Sequence, residues 1–550
     1  MLDLKGIYLY FLSIKKITKK SIREIFFSTN FYNKLLVTEN PSRFFFYPNP
    51  YLLSPLLNRK DLLLKISKFE ANYFWNNSKN DNEKKNLHSF LWLNLIDRKN
   101  EKETIEKIVG DWVKKYGNYK KDIWNENLLS KRIMAWISNA DIILTNKEDR
   151  FQKLFFSSLL KQVNFLKKNL KIFSHETTII SCLAAIILSG LVFKEYYNNY
   201  NFGLKELKKI INNFFDKNGF PKNRNPENLI VFLQYFILIK EWIKNAQELV
   251  PDYLDEIIEK NLLCLNSLKN ESKKLPLFNG ATEKNLDEFF QYLEKLNYKF
   301  DKKLEFVGQI QIIKNKKNIL YFDAGEPPIH QYSKDYQSGP LSFEYFSETN
   351  KIITNCGYGR KISNKTQLIS KFTSAQSTLC LNDTSVVKFK KNNLINKAYG
   401  ATISNSFKIF DINREENKTD TSIAATHNAY LDKFGYLHKR SIKILKKNSH
   451  LIGKDTLLKK KNITNNVNFS IRFHIYPGVS TVQTVGGKSI LLQVSKNKSW
   501  IFLSKDQDLK IEKSLFLGRN KVLSNYCIVI YGNTKNQDTD IEWELKKSNL

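Results

Sequence analysis

The sequence predicts two large domains, a helical array followed by an antiparallel β sandwich. With 550 residues the chain exceeds what one compact hydrophobic core usually holds. Seven of its 20 glycines lie before residue 300 and thirteen lie after it. Around the same point, apolar residues at helical spacing give way to short alternating segments with glycine-containing turns. We therefore place the two domains at residues 1–300 and 301–550, with the boundary near Asp301.

Helix-length segments dominate the first half. In segment 101–116, Ile105, Val109 and Trp112 recur at helical spacing, so this helix buries one face. Pro226 and Pro251 stand where the first turn of a helix tolerates proline. Short connections predict paired antiparallel helices, and an incomplete α/α toroid is one array of that kind. The predicted helices span 101–116, 128–144, 151–170, 177–195, 204–215, 226–249 and 251–268.

The second half carries short strands. Residues 342–346 alternate between faces, turn at Glu348-Thr349-Asn350 and return as 352–354. The tripeptide Gly486-Gly487-Lys488 between two apolar runs predicts a hairpin. Strands without intervening helices imply antiparallel pairing and hence a sandwich. Further strands are predicted at 482–485, 490–494, 500–503, 527–531 and 541–545.

Composition and charge limit the classes of partner. Hydrophobic residues make up 42% of the chain, which is enough for folded cores and argues against disorder. The formal net charge of +34 attracts polyanions, namely nucleic acid, anionic polysaccharide or an acidic membrane surface. The alternative is that lysine is abundant throughout the chain for compositional reasons. Five widely spaced cysteines without a Cys-x-x-Cys motif indicate buried free thiols rather than disulfides or a zinc–thiolate site.

Neither a signal peptide nor a membrane span is predicted. The apolar run at 7–14 is followed by lysines rather than preceded by them, unlike a signal peptide. Segment 179–193 is apolar but too short to cross a bilayer comfortably, so we expect a buried helix there. Sequence alone leaves the compartment open.

A series of motifs in the second half resembles the C-terminal domain of heparinase II/III-like polysaccharide lyases. Shorter pieces of the helical half extend the resemblance. The resemblance implies a helical toroid joined to a β sandwich. It also implies a lyase that cleaves an anionic, uronate-containing polysaccharide by β-elimination. The motifs are Asp323-Ala324-Gly325-Glu326-Pro327-Pro328, 339–344, Ala375-Gln376-Ser377-Thr378, His427-Asn428-Ala429-Tyr430, 435–440 and 472–478, with 129–133, Trp136, Asn218-Gly219-Phe220, Asn225-Pro226-Glu227 and 277–280 in the helical half.

The chemistry that the resemblance implies requires three kinds of group. A base removes the proton α to the uronate carboxylate, donors neutralise the carboxylate charge, and an acid protonates the leaving oxygen. By resemblance, the candidate catalytic residues are His175, Tyr235, His427, Tyr430 and His438. The candidate substrate-binding residues are Arg132, Trp136, Arg440, Arg472 and His474.

Each candidate also has a structural interpretation. His438 and Arg440 share one face of a strand, which suits either a polar grip on carboxylates or hydrogen bonding within the sandwich. Arg132 and Trp136 are four residues apart on a helix, so their alternative is helix packing. Capping of the following helix is the alternative role of His175, and strand packing is that of Arg472 and His474. Glu344 is expected to be either a partner of other site residues or solvated.

The resemblance has two departures that concern metal binding. The family commonly has histidine where this chain has Gln337 and Gln376. Some family members hold a structural zinc with histidines of this domain, and glutamine is a poor zinc ligand. We therefore expect no zinc and no other cofactor.

Two other functional classes stay open from the sequence. One is a non-catalytic protein on the same fold that binds anionic polysaccharide or belongs to the cell envelope. The other is a basic nucleic-acid-binding protein, for which the sequence has no recognisable base-stacking motif. The polymer and the oligomeric state are not predicted.

Overall fold

The computed structural model of the chain describes residues 4–57, 75, 81–98, 102–144, 149–173, 175–300, 302–389, 393–400, 402–463, 466–484, 486–505 and 507–548. Helices fill the described part of the first half, and strands begin at Phe306. The predicted order of a helical array followed by strands is confirmed.

The helical half is built from helices that follow one another along the chain. Segment 128–144 was predicted as one helix, but Asn139 ends the first of two helices, because its side-chain amide donates to the Ala135 carbonyl (2.8 Å). The helix predicted from 204 starts seven residues earlier, at Tyr197. Glu101 lies outside the described residues. The helices are α1 (Leu4–Phe27), α2 (Asn30–Leu35), α3 (Asp81–Ser89), α4 (Lys102–Tyr116), α5 (Glu126–Ser138), α6 (Ala140–Ile143), α7 (Asp149–Asn169), α8 (Glu176–Val192), α9 (Tyr197–Phe214), α10 (Pro226–Asn245), α11 (Asp252–Leu268) and α12 (Asp287–Lys295).

Helix α8 lies at the centre of this array, packed against α5, α9 and α10. It is buried from Ile180 to Val192, as its uniformly apolar sequence predicts. Two glycines allow the close approach of α9. A Cβ at Gly190 would lie 2.2 Å from the backbone nitrogen of Tyr200, and one at Gly203 would lie 2.3 Å from the Ile187 side chain. Among the described helices, α8 included, none is both long and apolar enough to cross a membrane.

The second half is a sandwich of two antiparallel sheets. In the first sheet the strand order is β1-β2-β3-β4-β5-β11-β16-β15, with β6 paired to β11. The second sheet has the order β12-β13-β14-β17-β10-β9-β8-β7. The strands are β1 (Phe306–Val307), β2 (Ile310–Lys314), β3 (Asn318–Asp323), β4 (Phe343–Ser347), β5 (Asn350–Thr354), β6 (Leu379–Leu381), β7 (Ile409–Glu416), β8 (Asp420–His427), β9 (Tyr436–Leu445), β10 (His450–Lys459), β11 (Asn468–Ile475), β12 (Ser480–Gln483), β13 (Ser489–Ser495), β14 (Lys498–Ser504), β15 (Leu509–Phe516), β16 (Leu523–Asn533) and β17 (Thr539–Ser548). Three short helices lie in its loops: α13 (Asn364–Ile369), α14 (Asn393–Tyr399) and α15 (Leu431–Phe434).

Two hydrophobic cores hold the molecule together. One lies between the two sheets. The other runs through the helices and includes Val307, Ile310 and Tyr321, so one face of the first sheet packs against the helical half. Secondary structure changes between Lys295 and Phe306, and Asp301 itself lies outside the described residues. The division into domains at this point stays a prediction.

The junction between the halves explains the motif that begins at Asp323. Arg224 of the helical half forms an ion pair with Asp323 and donates to the carbonyls of Gly308 and Glu326, each at 3.2 Å. A Cβ at Gly325 would lie 1.9 Å from the guanidinium of Arg224. Glycine is therefore required at 325, because the arginine occupies the space of a side chain there.

A second pair of motifs also meets at this junction. The backbone N–H of Leu277 donates to Oε2 of Glu344 (3.1 Å), and that of Gly280 donates to Oε1 of Gln337 (3.0 Å). Glu344 is fully buried and also pairs with Lys351 (2.8 Å), so it is a partner of other buried groups and is not solvated. Several of the motifs that resemble those of the lyases thus lie at the contact between the two halves.

Candidate functional site

Three of the predicted site residues meet inside the sandwich on adjacent strands. His438 and Arg440 point to the same side of β9. His427 on β8 lies opposite His438, and Asp455 on β10 lies opposite Arg440. Trp543 of β17 completes the group, which we call the core network: His427, His438, Arg440, Asp455 and Trp543.

Hydrogen bonds run through the core network in one direction. The backbone N–H of Ala429 donates to Nδ1 of His427 (3.2 Å), so the proton of that ring is on Nε2. Nε2 of His427 then donates to Nδ1 of His438 (3.0 Å), whose Nε2 donates to Asp455 (2.7 Å). Arg440 and Trp543 also donate to the Asp455 carboxylate. Each imidazole is thereby held as one neutral tautomer.

Burial and charge agree with that arrangement. Burial lowers the pKa of His427 and of His438 below the ordinary value, even though Asp455 favours their protonation. For Asp455, burial opposes ionisation, but Arg440 and His438 hold its pKa below the ordinary value. The two histidines, the arginine and the aspartate have no exposed surface. This placement favours the structural interpretation of His427, His438 and Arg440.

The other candidates of the sandwich also make internal contacts. Tyr430 is buried and donates to the Leu379 carbonyl (2.9 Å). His474 contacts Ser514 Oγ through Nδ1 (2.8 Å) and donates from Nε2 to the Ser374 carbonyl (3.0 Å). Burial lowers the pKa of His474 to about 4. Arg472 lies on the same strand, paired with Asp383 (3.6 Å) and Ser470.

In the helical half, Arg132, Trp136 and Tyr235 are buried. Arg132 donates to Gln162 (2.7 Å) and lies over the ring of Trp112 (4.2 Å). Trp136 packs edge-on to Trp112, at 5.2 Å between ring centroids. Burial raises the pKa of Tyr235, which disfavours a phenolate. Packing accounts for all three placements.

His175 differs from the other candidates, because it lies where the two halves meet and is only half-buried. It occupies the N-cap position of α8, but its side chain makes no capping hydrogen bond. Instead, Nε2 of His175 contacts the Lys334 ammonium at 3.0 Å. The neighbouring Asp335 accepts from the Tyr358 hydroxyl (2.8 Å) and pairs with Arg360 (3.3 Å). We call these five residues the junction cluster.

Burial, and after it the charges of the junction cluster, set the protonation of its imidazole and phenol. Burial lowers the pKa of His175 to about 4, and the positive charges of Lys334 and Arg360 act in the same direction. The imidazole is therefore neutral at pH 7. Burial raises the pKa of Tyr358 well above its ordinary value, and Asp335 adds to that effect. The phenol therefore keeps its proton.

Further cations continue along the junction. Lys131 precedes the buried Arg132 on α5 and lies close enough to Lys284 for the two charges to interact. Burial and then the nearby Lys284 lower its pKa. Lys284 pairs with Glu227 at 2.6 Å. Although burial opposes it, Lys284 and then Lys361 lower the pKa of Glu227. Lys284 of the helical half and Lys361 of the sandwich thus both lie near Glu227, and Lys131 lies near Lys284.

Sequence reasoning found His175 but missed its partners in the junction cluster. Lys334 and Asp335 stand just before Gln337, a position already marked by the motif comparison. Tyr358 and Arg360 follow the segment Asn355-Cys356-Gly357, which has no motif of its own. Lys334 and Asp335 could have been found from the sequence, because they lie next to a shared motif. Tyr358 and Arg360 could not, because only the fold brings them to the same place.

The positions of the expected zinc ligands hold amides that are already bonded. The side-chain nitrogens of Gln337 and Gln376 both donate to the Ser370 carbonyl, each at 2.8 Å. Cys356 lies beside them, and burial raises the pKa of its thiol to about 12. Among the described residues, no group of three or more histidines, cysteines and acids is placed to hold a metal ion. The donor set does not fit zinc, and the expectation that the protein binds none stays a prediction.

Solved structures with the same fold include two lyases. The heparan sulfate lyase HepC of Pedobacter heparinus has a TM-score of 0.62 at 13% identity, over 86% of this chain and 78% of that chain. A structure titled heparinase III has a TM-score of 0.65 at 14% identity, over 86% and 78%. These likenesses confirm the predicted fold class, an incomplete α/α toroid followed by an antiparallel β sandwich.

Sequence comparison finds the family in the second half of the chain. The family described as "Heparinase II/III-like, C-terminal" matches residues 302–544. A curated relative, "FtsZ-localized protein C" of Caulobacter vibrioides, is 21% identical over 234 residues. That match covers 41% of this chain and 40% of the relative, so it spans less than half of either protein.

Proposed function

We propose that this chain, whose residues 302–544 form a heparinase II/III-like C-terminal domain, is a polysaccharide lyase that acts at the junction cluster. Its substrate is an anionic polysaccharide containing uronate, and the reaction is β-elimination. The observation that carries the proposal is the half-buried neutral imidazole of His175, held 3.0 Å from the Lys334 ammonium between the two halves.

The residues of the junction cluster match the three requirements of the reaction. The substrate carboxylate binds Lys334 and Arg360, which neutralise its charge and make the α proton more acidic. Lys334 then turns away from His175, and the lone pair on Nε2 becomes available. His175 takes the α proton, the electron pair of that C–H bond forms the new C=C bond, and the bond from carbon 4 to the glycosidic oxygen breaks. Tyr358 is buried and donates to Asp335 (2.8 Å), so its hydroxyl has to turn from that carboxylate to protonate the leaving oxygen.

The row of lysines beyond the cluster supports a polymeric anion rather than a single sugar. Lys284, although paired with Glu227, and Lys361 add positive charge from the two halves at the junction, and Lys131 lies near Lys284. A chain with one charge per uronate would contact several of them at once. Such contacts weaken with salt, because the Debye length is about 8 Å at physiological ionic strength.

The test is formation of the unsaturated uronate product by a panel of uronate polymers, followed as ultraviolet absorbance. His175→Ala and Tyr358→Phe are expected to lower turnover by about 10²-fold or more. His450→Ala is the matched control, because His450 is also partly exposed but pairs with Glu544 (3.1 Å) on the second sheet. Equal turnover in His175→Ala and His450→Ala would refute the assignment of the base.

A second candidate is a non-catalytic protein that binds the same class of polymer. It is favoured by the burial of Tyr235, His427, Tyr430 and His438, four of the five residues expected to be catalytic. Salt-sensitive binding of the polymer panel without any rise in absorbance would support this candidate. In that case Lys334→Met should weaken binding, whereas Lys454→Met, which removes an ion pair on the second sheet, should not.

A further inference from the structure

Helix α1 presents an apolar stripe to solvent along its outer side. Tyr8, Phe11, Ile22 and Ile25 each leave 61 to 69% of their surface exposed. Their spacings of three, eleven and three residues place them on one side of the helix. Ser13, on the opposite side, is fully buried. Solvent exposure of so many large apolar residues on one helix face indicates an interaction surface.

The opposite side of α1 is attached to the body of the protein. Glu24 forms an ion pair with Lys121 at 2.9 Å. Phe27 packs on Tyr119 and Phe165, with ring centroids 5.3 and 5.2 Å apart. The helix is therefore held in place by its inner side, and its apolar outer side is not a displaced part of the core.

The exposed apolar surface continues onto α2. The ring of Phe26 lies 6.5 Å from that of Phe31, which is exposed together with Leu35. We call the outer side of α1 and the exposed residues of α2 the N-terminal face. From residue 8 to residue 25 it is about 26 Å long, at a rise of about 1.5 Å per residue.

Positive charge is interleaved with these apolar residues. Segment 4–37 contains seven lysines and arginines and a single acidic residue, Glu24, which is neutralised by Lys121. Lys15 and Lys19 are exposed between the two apolar groups of α1, and Lys20 is exposed beside them. A basic amphipathic helix of this kind matches a membrane surface, where apolar side chains enter the acyl boundary and lysines reach anionic headgroups.

We propose that the N-terminal face docks on an anionic lipid bilayer, with α1 lying in the plane of the interface. Charge complementarity selects this occupant, because the face offers lysines and apolar side chains together and presents no free carboxylate among residues 7–37. Each lysine near an anionic surface and each apolar side chain that leaves water adds to the binding. The proposal is independent of whether the protein is a lyase.

Vesicle cosedimentation of the full chain tests this docking. Phosphatidylcholine vesicles containing phosphatidylglycerol are expected to retain the protein, and pure phosphatidylcholine vesicles are expected to retain much less. The double variants Ile22→Glu/Ile25→Glu and Lys15→Glu/Lys19→Glu should each weaken retention by roughly tenfold or more. Leu249→Glu is the control, because Leu249 is 91% exposed and is not part of the N-terminal face, and this variant should bind vesicles as the parent does.

Two further readouts decide the outcome. Denaturant unfolding should be unchanged in these variants, since the replaced side chains are exposed. Failure of the parent protein to bind anionic vesicles, or equal binding by parent and both double variants, overturns the proposal. A dimer in light scattering that Ile22→Glu/Ile25→Glu converts to a monomer, without vesicle binding, would instead assign the face to a second copy of the chain.

Discussion

The core network and the junction cluster contain similar residues in different surroundings. Both contain an imidazole, an aspartate and an arginine. In the core network His438 and Arg440 both bind Asp455. In the junction cluster His175 contacts Lys334, and Arg360 pairs with Asp335. In the core network every donor and acceptor is used internally, and His427, His438, Arg440 and Asp455 have no exposed surface. In the junction cluster His175, Lys334 and Asp335 are half-buried, Tyr358 is buried, and Arg360 is exposed. Residue type is therefore a poor guide to a site here, and access to solvent separates a structural network from a candidate for chemistry.

The comparison also explains why the two groups tolerate change differently. Removal of one member of the core network leaves a buried charge without its partner, which is strongly unfavourable. At the half-buried His175 and Lys334 and the exposed Arg360 of the junction cluster, water can replace a missing partner. Variants of the core network should lose stability. Variants of the junction cluster should lose activity with little loss of stability.

The largest expected effect is in the core network. Asp455→Asn removes the charge that Arg440 and His438 share, so the free energy of unfolding should fall by about 3–5 kcal/mol. Urea unfolding measures this change. Asp540→Asn is the matched control: Asp540 pairs with Lys454 (2.9 Å) on the exposed side of the same sheet, and its loss should cost at most about 1 kcal/mol. Similar losses in both variants would show that the core network is not the stabilising element that its burial indicates.

Acid should destabilise the protein through the same buried histidines. The folded-state pKa values of His427 and His438 lie below their ordinary value, so the unfolded chain binds more protons in acid. Stability is then complete above about pH 6.5 and falls as the pH is lowered below it, by about 1.4 kcal/mol for each unit of pKa difference. Unfolding curves at a series of pH values measure this. A stability that is flat or increases from pH 7 to pH 5 would contradict the neutral state assigned to these rings.

The smallest expected effect is on stability at the junction. His175→Ala removes a half-buried ring whose polar contact is to an ammonium ion, so the free energy of unfolding should change by less than about 1 kcal/mol. The same variant should lose turnover, as stated above, so its unfolding curve is also the control for the activity assay. A loss of several kcal/mol would instead place His175 with the structural histidines.

Much of the fold followed from local patterns in the sequence. The helical periodicity of 101–116 and the alternation of 342–346 predicted elements that the structure contains. The order of the motifs that resemble those of the lyases predicted a helical half followed by a β sandwich. The structure differs from the predicted elements where a side-chain contact intervenes that local spacing does not reveal. One such contact is made by the Asn139 side chain, which ends α5.

The candidate site followed from the sequence only in part. Spacing placed His438 and Arg440 on one face, which is correct, but it could not tell that this face is covered by the opposite sheet. The tripeptide Ser130-Lys131-Arg132 shows the same limit, because neighbouring helical residues point about 100° apart. Arg132 donates to Gln162 inside the helical core, whereas Lys131 lies near Lys284.

The sequence by itself determined the order of the elements, the family of the second half and the absence of histidine at 337 and 376. Those properties depend on residue identity and local spacing, and both can be read directly from the sequence. Tertiary structure alone decided which histidines are enclosed and which one lies beside Lys334 at the junction. That outcome depends on the packing of segments more than 150 residues apart, such as His175 and Lys334, and local spacing carries no information about it.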